Sequence, residues 1–239
     1  MRPSYIRSGA VLLLCAALGG CAKGESDHGG GGGADAGRLP DAGPRPDAGP
    51  DFDSGPTGGT PVTLTQSTSM AITADNSVAC TDTDTGFNTE ASYFRLFDLA
   101  AEGITTPLEV SQVSFGIETA TGAGGNQPAT VNLYALTGAF TNANLATTAG
   151  TASVSVADQT STVLAVPITG TIPVGSKLVV ELTVPDGAEG NALYVGSNAA
   201  GESGPTYVRD GCGGADEPTP LADLDVAGMH WVLSVDATK

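Results

Sequence analysis

Basic residues are scarce in this 239-residue chain: nine Lys and Arg stand against 26 Asp and Glu, a formal net charge of -17. A surface of that sign repels phosphate backbones and anionic headgroups, which excludes nucleic-acid binding. Histidine is almost missing, with two in the whole chain. His230, beside Trp231 in an apolar pattern, is the one candidate base C-terminal to residue 61, and no G-x-S-x-G elbow accompanies it. Aromatic residues make up 5%, so the numerous carboxylates lack the rings that usually line a glycosidase cleft. No apolar run reaches the roughly 18 residues of a membrane-spanning helix. These shortages argue against an enzyme and against a permanent transmembrane segment.

The N-terminus is the most explicit region. Arg2 and Arg7 bracket the entry to a short apolar run at residues 9–20 (GAVLLLCAALGG), and the small residues Gly19 and Gly20 lead into Cys21. A basic start, an apolar middle and small residues at the end read as an export signal. Leu18-Gly19-Gly20-Cys21 resembles the lipobox of bacterial lipoproteins. The resemblance implies removal of residues 1–20 as a signal peptide and acylation of Cys21 on Sγ. Its cofactor-free consequence is a membrane anchor made of lipid, each buried CH₂ contributing about 0.8 kcal/mol. Ala22 in place of Asp after the acylated cysteine is compatible with sorting to an outer membrane and the cell surface.

Residues 21–61 differ sharply in composition. Gly29 to Gly33 form an unbroken glycine run, and Pro-Asp-Ala-Gly-Pro occurs at residues 40–44 and again at 46–50. Such a stretch lacks the apolar residues of a core, so it reads as a disordered linker, semi-extended through its prolines and its repelling aspartates. Fully extended, some 40 residues reach about 130 Å. His28 stands alone there and makes no metal site.

From residue 62 to 239 the text becomes short runs of Val, Thr, Leu and Tyr broken by Gly, Pro, Asn and Asp. That spacing predicts strands at 62–66, 69–73, 91–99, 109–118, 130–136, 152–156, 162–168, 177–184, 192–197, 206–209 and 229–236. The alternation Leu178, Val180, Leu182, Val184 against Lys177, Val179, Glu181, Thr183 puts one face inward and one outward. The same holds for Met229, Trp231, Leu233 and Val235 against His230, Val232, Ser234 and Asp236. The expected fold is all-β: a single antiparallel β-sandwich of jelly-roll type.

Four groups of residues carry candidate chemistry in this domain. Cys80 and Cys212 are the cysteines left after the signal and Cys21 are set aside, and an oxidising compartment predicts that they pair. Arg95 sits in the otherwise apolar Tyr93-Phe94-Arg95-Leu96-Phe97, so it needs a partner, and Glu181 in another apolar strand is the candidate. Asp82, Asp84, Asn88 and Glu90 gather oxygen ligands of the kind Ca²⁺ takes, with Asp223 and Asp225 as supplements if the loops meet; the spacing is not that of an EF-hand. Tyr93, Tyr134, Tyr194, Tyr207 and Trp231 form a stacking platform if they share an exposed face.

Tyr93-Phe-Arg-Leu-Phe-Asp-Leu99, Val113-Ser-Phe-Gly-Ile-Glu118, the run from Val195 to Val208, Cys212-Gly213 and Met229-His230 together resemble an accessory β-sandwich domain of secreted bacterial proteins. The family supplies no catalytic residues, and the resemblance implies an extracellular display or adhesion module. Two functional readings follow. One is a lipid-anchored binding module for a polysaccharide or an envelope protein; the other is a passive coat component without a specific ligand.

Overall fold

The computed structural model describes residues 5–7, 59–82, 85, 87–187, 190–210 and 214–239. The elements are β1 (Tyr5–Arg7), β2 (Pro61–Thr65), β3 (Val78–Cys80), β4 (Ala91–Phe97), β5 (Leu108–Thr121), β6 (Asn126–Leu136), β7 (Gly150–Ala157) and β8 (Gln159–Ile172). They continue with β9 (Lys177–Val184), β10 (Ala192–Val195), β11 (Ser197–Asn198), β12 (Tyr207–Asp210), β13 (Thr219–Pro220), β14 (His230–Trp231) and β15 (Leu233–Thr238). Among the described residues the helical structure is two single turns of 3₁₀ helix, Asn142–Leu145 and Leu221–Leu224.

Two antiparallel sheets face each other. In the first, β5 is flanked by β8 along one edge, by β15 and β10 along the other, and β2 closes the far side of β15. The second has the order β13-β12-β4-β9-β6-β7. The chain crosses from sheet to sheet at β4-β5-β6 and again at β7-β8-β9-β10-β12, the crossing habit of a jelly-roll sandwich. This is the fold class the punctuation of the sequence predicts.

Pleat alternation builds the core. Leu178, Val180, Leu182 and Val184 of β9 face Val113, Phe115 and Ile117 of β5 and Leu233, Val235 and Ala237 of β15 in one apolar cluster. Trp231 lies between the layers, its ring centroid 6.3 Å from Tyr93 of the second sheet and 6.4 Å from Phe115 of the first. Aromatic pairs at such separations add packing energy beyond their buried area. Where β5, β10 and the last strands meet, Gly116 and Gly196 lie back to back: Gly196 N–H donates to Gly116 O at 2.6 Å, and Gly116 N–H donates to Val232 O at 2.9 Å. A Cβ on Gly116 would fall 2.8 Å from Gly196 O, so the junction requires glycine for its close approach.

The expected strand at 69–73 is irregular. Asn198 Nδ2 donates to Ser69 O at 3.0 Å and to Ala71 O at 2.7 Å, a side-chain amide doing for these carbonyls what a neighbouring strand would. β3 is too short to show a period, and it pairs with β1 in the register Ile6 to Ala79. Thr60 and Lys239 exchange both backbone hydrogen bonds, at 2.8 and 2.9 Å, extending the pairing of β2 with β15.

Candidate functional site

Arg95 and Glu181 do not pair. β4 and β9 are adjacent, yet Tyr93, Arg95 and Phe97 point between the sheets, whereas Glu181 points out of the second sheet. Residues of opposite pleat parity lie on opposite faces, whatever the distance between their strands. Arg95, fully buried, meets Glu202 at 2.5 Å and also donates to Gly204 O at 2.7 Å and to Trp231 O. Glu202 in turn accepts from Thr206 N–H and Thr206 Oγ1. Burial lowers the guanidinium pKa below its ordinary value, and the Glu202 carboxylate works against that shift. This pair fastens the loop ahead of β12 onto the core.

Glu181 belongs to a different network on the outer face of the six-stranded sheet. Its Oε1 accepts from Arg209 Nη2 at 2.9 Å, and its Oε2 accepts from Tyr134 Oη at 2.5 Å and from Asn132 Nδ2 at 3.0 Å. Arg209 donates further to Ser92 Oγ at 3.0 Å and to Asn142 Oδ1 at 2.8 Å, with its guanidinium carbon 5.5 Å from the Phe94 ring centre. Burial, then the Glu181 carboxylate, raise the Tyr134 phenol well above its ordinary pKa. The arm between β6 and β7 folds over the lower half of this face. Phe140 on the arm stands edge-on to Phe94 and to Tyr207, with centroids 5.7 and 4.8 Å apart. Asn142 N–H donates to Glu217 Oε2 at 2.6 Å and clasps the arm to the segment just before β13.

The upper half of the face is a row of hydroxyls. Register aligns Arg209 with Ser92, Ser92 with Thr183, Thr183 with Thr130 and Thr130 with Ser153, one residue from each of five neighbouring strands. Ser92 Oγ accepts from Arg209 and shares a second hydrogen bond with Thr183 Oγ1, 3.2 Å away. Beyond Thr130 the row runs into a shallow depression of about 360 Å³ lined by Asn126, Gln127, Pro128, Ser153, Val154 and Ser155.

The other candidates are dispersed. Asp82 is exposed and its Oδ1 accepts from Thr85, while buried Asn88 turns its Oδ1 inward to accept Leu193 N–H at 2.6 Å. Glu90 is exposed and Asp84 lies outside the described residues, as do Cys21 and Cys212. No three His, Cys, Asp or Glu side chains converge on a metal position among the described residues. Cys80 is in a disulfide and its Sγ accepts from Thr89 Oγ1 at 2.7 Å; the expected partner, Cys212, falls outside the description. His230 Nδ1 accepts Gly201 N–H at 3.1 Å. The five-ring platform does not form: Tyr93 and Trp231 are core residues, whereas Tyr134 and Tyr207 do share the outer face. Sequence reasoning passed over Arg209, Phe140 and Asn142. The alternation Tyr207-Val208-Arg209 around a buried valine was the available signal for the first of them.

Fold and face together define a two-sheet β-sandwich protein with a shallow polar track across one sheet. No protein-family model matches the chain, and no curated protein does. Among solved structures it is similar to the crystal structure of the cysteine protease and lectin-like domains of Cwp84, a surface layer associated protein of Clostridium difficile, at 10% identity and a TM-score of 0.34. That match takes in 68% of this chain and 38% of the other. A likeness so distant transfers no residue and no activity. No helix among the described residues is long and apolar enough to cross a membrane.

Proposed function

We propose that this is an exported lipoprotein, anchored through Cys21 and held off the membrane by residues 21–61, whose sandwich is a non-catalytic binding module for an extracellular polysaccharide. The observation that carries the reading is the outer face of the six-stranded sheet: partly exposed Arg209, Asn132, Phe140 and Tyr207 stand in fixed positions around buried Glu181. Rings beside hydrogen-bonding groups whose rotamers are locked are what a sugar-binding surface requires. Processing ahead of Cys21 would remove β1 and uncover the β3 edge. A Cys80–Cys212 disulfide would close a loop of some 130 residues and constrain the unfolded chain.

The test has two arms. Mass spectrometry of the protein recovered from membranes should find an acylated Cys21 as the first residue, and Cys21→Ser should release the protein to the soluble fraction. Affinity electrophoresis of the full chain through a set of polysaccharides should show retardation that Arg209→Gln abolishes. Retardation by none of them favours the passive coat component, a reading that the burial of Tyr93 and Trp231 also supports.

A further inference from the structure

The six-stranded sheet ends in β7, and the outer edge of that strand is open along its length. Asp158 N–H donates to Gly125 O at 3.1 Å, and the uninterrupted register of β6 with β7 carries that alternation up the strand. The main-chain groups of Ala152, Val154 and Val156 therefore bond to β6, while those of Thr151, Ser153, Ser155 and Ala157 point away from the sheet. These four residues are exposed, and β7 pairs with no strand but β6 among the described residues. Pro128, which has no N–H to give, stands opposite Ser155, where the ladder requires none.

Sheets guard their edges with short strands, prolines, bulges or charges, because an unguarded row of N–H and C=O groups pairs with another chain. The other outermost strands follow that habit. β13 has two residues and contains Pro220, β2 has five and opens on Pro61, and β10 has four with a register shift at Tyr194/Val195. β8 carries Pro167, a register shift beside it and Ser161 at φ 48°. β7 runs for eight residues with no proline, charge, register shift or positive φ.

Charge and symmetry name the occupant. Between Glu118 and Lys177 the one charged residue is Asp158, whose Oδ1 accepts Gly122 N–H at 2.8 Å beside the β7–β8 turn. On a chain of net charge -17, this is the region where a second copy approaches without like-charge repulsion. The strand is also close to a palindrome: about Val154, Ser153 mirrors Ser155, Ala152 mirrors Val156 and Thr151 mirrors Ala157. A twofold axis through Val154 sets each outward-facing residue against an outward-facing residue of the other copy, as an antiparallel ladder requires. Val154 and Ala152, which pack on the core yet are only partly buried, gain apolar neighbours across that seam.

We infer that β7 is a self-association edge: two copies of this chain pair β7 with β7 in antiparallel register, Ser153 opposite Ser155, and join their six-stranded sheets into one. The axis is perpendicular to the joined sheet, so the two outer faces carrying Tyr207 and Arg209 lie on the same side of it. The inference depends neither on lipidation nor on polysaccharide binding.

The test is sedimentation equilibrium of the full chain carrying Cys21→Ser, so that no lipid contributes to association, with hydrogen exchange measured alongside. The expected result is a monomer–dimer equilibrium with a Kd on the order of 1–100 µM, the range of a small interface. Raising the protein concentration through that range should slow amide exchange at Thr151, Ser153, Ser155 and Ala157 and leave Val154 and Val156 as they were. Ser155→Pro removes an outward donor, and Ser153→Glu with Ser155→Glu sets carboxylates against one another across the seam. Each should raise Kd on the order of tenfold or more with unaltered melting temperature. Ala71→Glu, an exposed position between β2 and β3, should leave it unchanged. A chain that stays monomeric at millimolar concentration would overturn the inference and leave the proposed binding function standing. A dimer indifferent to both edge variants, or one whose added protection falls on other strands, overturns it equally.

Discussion

The molecule contains two Arg–Glu pairs of the same chemistry in opposite settings. Arg95 and Glu202 meet inside the sandwich, with the Arg side chain 1% exposed and the Glu 18%. Arg209 and Glu181 meet on the outer face, where the Glu is 3% exposed and the Arg 32%. In the first pair the cation is the buried member and the loop carboxylate comes to it. In the second the anion is buried, and the cation lies over it at the rim. The inner pair has every contact directed to its own fold. The outer pair holds a guanidinium, an amide and two rings within reach of solvent, so one device fastens a loop and the other presents a surface.

Breaking the inner pair should have the larger consequence. Arg95→Met removes the donor to Gly204 O and Trp231 O and leaves Glu202 without its cation, so a loss of about 3–5 kcal/mol is expected in urea unfolding. Replacing both partners, Arg95→Met with Glu202→Gln, should recover a substantial part, because the uncompensated charge is then gone. A double variant no better than the single one would show that packing at Trp231, rather than charge, dominates there.

The glycine junction supplies a control with no charge in it. Gly116→Ala drives a methyl group to 2.8 Å from Gly196 O, backbone against backbone, with no flexible side chain to yield. The expected cost is about 1–3 kcal/mol from local overpacking, read from thermal unfolding. The outer-face ligand affinity should not change, which separates loss of stability from loss of binding.

How much of this was legible in the residues depends on parity. The alternation in β9 placed Glu181 on the side away from the core, and the structure agrees. That parity alone excludes a partner between the sheets. Arg95 was harder, because Tyr93-Phe94-Arg95-Leu96-Phe97 is apolar on both faces: Phe94 and Leu96 lie under the arm on the outer face while Tyr93 and Phe97 line the core. A strand covered on both sides carries no period to read. The partners of both arginines come from loops and strands far along the chain, Glu202 at 107 residues and Glu181 at 28, and sequence spacing holds no signal for that. The arm was invisible for a related reason: Phe140 and Asn142 owe their place to tertiary contacts with Tyr207, Arg209 and Glu217.

Arg209→Gln tests the outer pair on equal terms. Glu181 keeps the Tyr134 and Asn132 donors, and water reaches the position the guanidinium leaves, so the stability loss should be smaller than for Arg95, about 1–3 kcal/mol. The effect on polysaccharide binding should be the greater one. If Arg209→Gln instead destabilises the protein as much as Arg95→Met does, the two pairs are equivalent structural fastenings and the contrast drawn between them collapses.

The finest distinction is in the pH dependence of Tyr134. Its phenol has a folded-state pKa raised above the ordinary 10.0, by burial first and by the Glu181 carboxylate second. A group raised in this way contributes its full stabilisation below the unfolded value and loses it as pH climbs through the interval up to the folded one. Stability should therefore be level in this respect up to about pH 10 and fall above it, as the unfolded chain releases a proton that the folded chain retains. Tyr134→Phe removes the hydrogen bond to Glu181 and with it this part of the alkaline limb. Tyr194 and Tyr207 are also raised, so the limb should become shallower in the variant without disappearing. The loss of stability at neutral pH should be the smallest of the four, about 1 kcal/mol, since Asn132 and Arg209 still serve the carboxylate. Unfolding free energies measured from pH 8 to 11 on the two proteins decide it. Parallel curves would mean that Tyr134 ionises alike in both states and that Glu181 is held by Arg209 and Asn132 alone.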